Sequence, residues 1–303
     1  MEHTRVQDMV DQMNRVFLGQ DEVVRSIVCG ILAGGHVLLE GVPGVGKTLI
    51  GLAVSRLLDV SFKRIQFTND LLPSDVIGFH AVRSGAGGFE LVRGPIFASI
   101  VLADEINRTS PKTQSALLEA MEERRVTMDG VTYDLPAPFM VIATQNPVEI
   151  AGTFPLPESQ LDRFLFKIQV GYPSLEEEQQ IIARGIDHTE ALRLEPVMTR
   201  DILFSMIGCV SRVLVHRDVL EYMTGLVRST RSLPDVELGV SPRGGLALKR
   251  ASQAWAFMHG RDFVTPGDVM TMMPLVLPHR IITRGGDPYD VIQALAREVP
   301  VPL

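Results

Sequence analysis

The sequence predicts an α/β fold, a parallel sheet with helices on both faces, followed by an all-helical segment. Three observations carry this expectation. Apolar runs at 36–40, 100–103 and 139–143 lack polar alternation, as strands covered on both faces do. Helical patterns at 49–58 and 111–123 separate such runs, which is the alternation that builds a parallel sheet. After Gly171-Tyr172-Pro173, strand signals give way to helix-start signals.

The first predicted strand, His36–Glu40, runs into the glycine-rich stretch GVPGVGKT at 41–48, and Leu49–Leu58 then reads as a helix. Ser61–Gln66 is the second strand. Residues 79–94 form two short runs around a Gly-rich turn and read as a hairpin. Ile100–Ala103 is the third strand, and Pro111–Glu123 a helix with Ser110 as N-cap and Pro111 at its first position. Residues 125–135 alternate around Asp129-Gly130, a type I′ turn signal. Phe139–Ala143 and Phe166–Val170 complete five strands. The two hairpins are extra to this layout and read either as surface decoration or as functional inserts. Beyond them, Ser174 with Glu177 makes a capping box, and Thr199, Ser241-Pro242 and Thr265-Pro266 each open a further helix. The expected domains are 1–171, the α/β core with its two inserts, and 172–303, the helical segment.

The chain of 303 residues is 46% hydrophobic and 21% charged, a globular balance. Its net charge of −7 speaks against a protein that coats nucleic acid, because neutralising phosphates needs a basic face. Cys29 and Cys209 both sit among apolar residues and read as buried free thiols, which fits a reducing compartment. The opening MEHTRVQD has no apolar signal-peptide core, and no apolar run approaches the ~18 residues of a membrane span. A cytoplasmic location without a membrane span is therefore expected. The histidines show no metal-ligand spacing, and Met270, Met272 and Met273 read as helical-segment core.

GVPGVGKT fits the phosphate-binding pattern G-x-x-x-x-G-K-[ST] over Gly41, Val42, Pro43, Gly44, Val45, Gly46, Lys47 and Thr48, with Leu49 opening the helix behind it. Glycines let backbone N–H groups turn inward around phosphate oxygens, Lys47 supplies a point charge, and the Thr48 hydroxyl can ligate Mg²⁺. The helix directs its positive end at the same anion. A strand before the loop and a helix after it give the motif its proper setting. A Mg²⁺-nucleotide also needs a carboxylate on a neighbouring strand, and Asp104 ends the third strand. Glu105, one residue on, can deprotonate a water for in-line attack on the γ-phosphate. Its competing reading is a cap for the helix near Ser110 or an ion pair with a surface arginine. The fourth strand ends in Thr144, Gln145 and Asn146, at the sheet end that faces ligand. Asn146 can hold the attacking water or a γ-phosphate oxygen; alternatively it is a turn residue before Pro147.

GVPGVGKT, LADEINRTSPKTQSALLEAMEE, ATQNPVE and LDRFLF together resemble the MoxR family of AAA+ ATPases, and RGPIF at 93–97 is similar to it as well. The resemblance implies a P-loop NTPase (AAA+) core followed by a helical lid, hydrolysis of ATP with Mg²⁺, and a homo-oligomer in the form of a hexameric ring. VFLGQDEV matches the family's N-terminal box, which implies that Leu18, Gly19 and Gln20 lie near the adenine. It further implies Thr48 and Asp104 as the Mg²⁺ pair, Glu105 as catalytic base and Asn146 as the sensor 1 residue. Arg163 in LDRF becomes an arginine finger reaching the adjacent subunit's nucleotide, and Arg243 in SPRGG the sensor 2 residue, contacting the γ-phosphate from the lid. The hairpins resemble the family's helix-2 insert and presensor-1 hairpin.

An arginine supplied in trans stabilises transition-state charge and makes hydrolysis depend on assembly. The competing reading of Arg163 is an ion pair with Asp162 or Glu158, and Arg108, Arg124 and Arg125 are rival fingers. The family is associated with protein partners, including von Willebrand factor A-domain proteins, and with maturation of other proteins by metal-cofactor insertion. Three functions follow as alternatives: ATP-driven chaperone-like remodelling, a nucleotide-gated binding scaffold with slow hydrolysis, or a nucleic-acid-directed motor. The acidic balance speaks against the last.

Overall fold

The predicted strands become one five-stranded sheet in a computed structural model of the chain, which describes residues 2–41, 46–82, 89–147, 152–184 and 191–301, without the side chains of Thr48 and Arg184. We label its strands β1 (Val37–Gly41), β2 (Phe62–Gln66), β3 (Ile100–Asp104), β4 (Met140–Gln145) and β5 (Phe166–Val170). All neighbours are parallel, and the spatial order is β2-β3-β4-β1-β5.

Alternate side chains of each strand enter opposite cores, which is why the inner strands are continuously apolar in sequence. Leu38, Val101, Ala103 and Val141 pack with Leu117, Leu118 and Met121 of the helix Pro111–Glu123. Val37, Leu39, Ile100 and Ile142 pack on the other face with Ile27, Val28, Ile50 and Val54. Two helices absent from the sequence expectation, Glu2–Val16 and Asp21–Leu32, cover this second face. The second is buried along most of its length, with Asp21, Glu22 and Arg25 on its outer side. Cys29 lies within it, its Sγ 3.6 Å from the Ala251 carbonyl and 3.8 Å from Met272 Sδ.

That core runs on into the C-terminal helices, among them Arg200–Val210, Pro242–Met258 and Pro266–Val276. Met272 and Met273 are buried in it, and the Tyr222 hydroxyl meets Met270 Sδ at 2.9 Å. The Ser174–Glu177 capping box is reciprocal, at 2.8 and 3.4 Å. Ser110, Ser241 and Thr265 each cap their helix. Thr199 occupies the N-cap position but makes no capping bond, contrary to expectation. Cys209 also departs from expectation: it is partly exposed, near the helix end, where Arg212 Nη2 donates to its Sγ at 3.1 Å. A short ribbon, Val236–Leu238 with Ile282–Thr283, joins the helices.

Both hairpins form. Gly78–Val82 pairs with Phe89–Arg93, the turn between lying outside the described residues. Arg125–Met128 pairs with Val131–Asp134 around Asp129 (φ 49°) and Gly130 (φ 79°), both positive as a type I′ turn requires. His80 ties one hairpin to the other through Asp129 (2.8 Å) and Tyr133 (3.0 Å). Among the described residues no helix is long and apolar enough to cross a membrane.

Candidate active site

The carboxyl ends of the parallel strands carry the phosphate-loop residues. Gly41 ends β1, and Gly46 opens the helix Lys47–Leu57 at φ 81°. A β-carbon at Gly46 would lie 3.0 Å from the Phe17 ring, so both backbone and space demand glycine. Lys47 Nζ donates to the Gly41 carbonyl at 2.5 Å and to that of Gln145 at 3.4 Å. Burial pushes its pKa down, opposed by the nearby charges of Asp104, Glu105 and Glu40. Leu49 is buried in the helix's first turn. Val42, Pro43, Gly44 and Val45, and the Thr48 side chain, lie outside the described residues.

Two strands away across the sheet, the carboxylates are held by Thr144 of β4. Its hydroxyl donates to Asp104 Oδ1 at 2.6 Å and accepts the Glu105 N–H at 2.9 Å. Glu105 adopts a left-handed backbone (φ 58°, ψ 50°), a conformation that costs a non-glycine residue about 1–3 kcal/mol and recurs at functional sites. From β2, Arg64 donates to Asp104 Oδ2 at 2.6 and 3.2 Å, and Gln66 donates to Glu105 Oε2 at 2.9 Å. Arg108 pairs with the same Glu105 oxygen at 3.2 Å. Ser110 caps the following helix, so only the arginine half of the competing reading of Glu105 has a counterpart here. Asn146, the residue after β4, is buried, and its carbonyl accepts from Asn107 Nδ2 at 3.4 Å. Asn107 Oδ1 and Gln145 Oε1 are buried at this end of the sheet without a hydrogen-bond partner among the described residues. A buried carboxylate, orphan amide oxygens and a lysine curled back onto a carbonyl suit a hard cation and its anion.

The N-terminal box lies alongside. Phe17 packs on Gly46, Gly19 abuts the Glu177 side chain, and Gln20 Nε2 donates to the Gly171 carbonyl at 3.1 Å. Phe17, Gly19 and Gln20 thus bridge the loop's exit and the start of the C-terminal helices.

Arg163 and Arg243 lie at the other end of the sheet. Arg163 precedes β5, and the Leu165 N–H donates to the carbonyl of His36, the residue before β1. A full five-residue strand, roughly 16 Å at about 3.3 Å per residue, separates that edge from Gly41. Arg163 Nε meets Glu122 at 3.2 Å, rather than Asp162 or Glu158. Arg243, expected at a γ-phosphate, meets the same Glu122 at 3.0 Å and Asp162 at 3.8 Å, away from its own chain's phosphate loop. Arg280 takes Asp162 Oδ1 at 2.6 Å. These residues, with Arg124 and Arg250, line a cavity of about 310 Å³. Of the rival fingers, Arg124 lines this cavity and Arg125 pairs with Glu123 at 2.9 Å.

Sequence reasoning missed Arg64, Gln66, Glu122 and Arg280. Arg64 and Gln66, two apart on a strand, share a face, and that spacing was the available signal. Arg280 offered none, because its carboxylate partner, Asp162, lies far away in sequence.

Known proteins resemble the chain over nearly its whole length. A family described as the ATPase family associated with various cellular activities (AAA) matches residues 36–166, and the AAA lid domain matches residues 228–296. A structure from Cytophaga hutchinsonii, solved as a candidate ATPase, superposes with a TM-score of 0.90 at 35% identity, covering 100% of this chain and 96% of that one. The protein is an AAA-type ATPase and binds nucleotide. The chain is 44% identical over 298 residues to Chaperone MoxR1 of Mycobacterium tuberculosis, spanning 95% of this chain and 76% of that one. It is 48% identical over 299 residues to the uncharacterized protein YeaC of Bacillus subtilis, spanning 98% and 93%. It belongs to the MoxR family of AAA+ ATPases.

Proposed function

We propose that the protein hydrolyses ATP at sites completed by a neighbouring copy in a homo-oligomeric, hexameric ring, and uses the cycle to remodel or mature a partner protein. One observation carries the reading: Lys47, Asp104 and Glu105 sit at the carboxyl ends of the strands, Arg163 and Arg243 at the amino ends. Head-to-tail contacts in a ring bring unlike faces together, so one chain's arginine end meets the next chain's phosphate loop.

In this reading Gly41 to Leu49 hold the phosphates and Leu18, Gly19 and Gln20 the adenine end. Glu105 takes a proton from the water whose oxygen bonds to the γ-phosphorus, as the bond to the bridging oxygen of ADP breaks. Asn146 orients that water. Asp104 and Thr48 would hold Mg²⁺, which when bound supplies charge neutralisation at the phosphates. Arg163 and Arg243 stabilise the transferring group's charge in trans.

The division into a core of 1–171 and a lid of 172–303 belongs to this reading, since hydrolysis would move one against the other. Exposed Phe79, Val82 and Phe89 on the first hairpin support contact with a protein partner, for which a von Willebrand factor A domain is one form. A cytoplasmic location completes the proposal. The test is light scattering and ATP turnover across protein concentration. Turnover per chain should rise as the ring assembles; concentration-independent turnover by a monomer refutes the composite site.

A further inference from the structure

Glu122 is the penultimate residue of the helix Pro111–Glu123, whose last turn contains no basic residue. A carboxylate there opposes the negative end of the helix dipole, so the helix itself disfavours it. Each of its oxygens is instead met by a guanidinium. Arg163 Nε, from the loop that enters β5, reaches Oε2 at 3.2 Å, and Arg243 Nη1, from the first turn of Pro242–Met258, reaches Oε1 at 3.0 Å. Glu122 is the one ion-pair partner of Arg163 among the described residues. Arg243 has a second, longer contact to Asp162 at 3.8 Å, but that carboxylate is already held by Arg280 at 2.6 Å. Beside this bridge lies the cavity lined by Arg124, Arg163, Arg243, Arg250 and Arg280 against only Glu122 and Asp162, an excess of positive charge.

We infer that Glu122 is a positioning residue that binds the core arginine Arg163 and the helical-segment arginine Arg243 into one unit. The inference rests on the reading in which both arginines serve a neighbour's nucleotide. An arginine side chain has many rotamers, and one without a partner is spread among them. A single carboxylate that engages two guanidinium groups fixes their spacing, and adjacent phosphate oxygens demand a fixed spacing. Glu122 touches no nucleotide; it acts through the arginines.

The test uses the full chain, assembled, with Glu122→Ala and the near-isosteric Glu122→Gln, the latter keeping the test open if the former folds poorly. Expected is a fall in kcat of about tenfold or more, with KM for ATP within about twofold of wild type. Glu122→Asp, which keeps the charge but retracts it, should fall between. In an Arg163→Ala/Arg243→Ala background the Glu122→Ala change should add no further loss to the residual turnover, because both residues through which it acts are gone. Wild-type kcat in both Glu122→Ala and Glu122→Gln, with Arg163→Ala strongly impaired, overturns the inference and leaves the composite site standing. Losses that simply multiply overturn it too. Full turnover by Arg163→Ala would instead remove the reading beneath it.

Discussion

Replacing Arg280 by methionine should loosen the lid from the core and unfold the protein at lower temperature. Arg280 is 6% exposed, and burial pulls its pKa down to about 10, so it remains charged at neutral pH. Its guanidinium donates to Asp162 Oδ1 and to the Phe164 carbonyl, each at 2.6 Å, and also to the Val276 carbonyl. Methionine fills similar volume but leaves that carboxylate and those carbonyls without their donor. Removing one partner of a buried ion pair costs about 3–5 kcal/mol. Asp162 keeps 21% side-chain exposure and has Arg243 at 3.8 Å, which favours the lower end, about 3 kcal/mol. At roughly 2–4 °C per kcal/mol for a chain somewhat smaller than this one, the melting temperature should fall by about 6–12 °C. Scanning calorimetry at neutral pH reads the shift. Arg280→Lys keeps the charge without the planar fork and should recover less than half of it. A methionine variant that melts within about 2 °C of wild type would refute the assignment of this contact as the staple between core and lid.

Other outcomes follow from the same geometry. Glu105→Gln should lower turnover by about a hundredfold or more while ATP affinity, read by calorimetric titration, stays within about threefold; unchanged turnover would remove Glu105 as base. Acid should destabilise the fold through two buried histidines. Burial, with a smaller contribution from the charge of Arg124, holds His36 down at about 4, and burial with the charge of Arg280 holds His279 well below its usual value. As pH falls below about 6.5 the unfolded chain takes up protons that the folded chain refuses, so stability declines between about pH 6.5 and about pH 4. His36 alone accounts for on the order of 3 kcal/mol across that window. Urea midpoints at a series of pH values check this, and a flat profile below about pH 6.5 contradicts it.

The parallel sheet was legible because strands covered on both faces have no polar positions to disguise them: Val101, Leu102 and Ala103 can be nothing but core. The helix Pro111–Glu123 was legible to the residue from Ser110-Pro111, because capping chemistry is local. The helix Asp21–Leu32 was not, since Gln20 at its N-cap makes no side-chain capping bond and no capping residue marks its start. The same distinction holds for the site. Lys47, Asp104 and Glu105 announce themselves by short spacing around a loop and a strand end. Thr144 was visible only as a polar residue at a strand terminus, and its bridging of Asp104 and the Glu105 N–H depends on strand register. Arg163 and Arg243 were identifiable one at a time through motifs, but their convergence on Glu122 arises from three segments that meet only in space.

The central claim is that each active site needs two chains. Lys47→Ala protomers keep their arginines and lose the phosphate loop; Arg163→Ala protomers keep the loop and lose the finger. Each variant alone should show no more than residual turnover. Mixed in equal amounts and allowed to reassemble, they should regain turnover, because about a quarter of the head-to-tail interfaces then pair an intact loop with an intact finger. A mixture as inactive as its components, in rings shown by native mass spectrometry to contain both, would contradict the account.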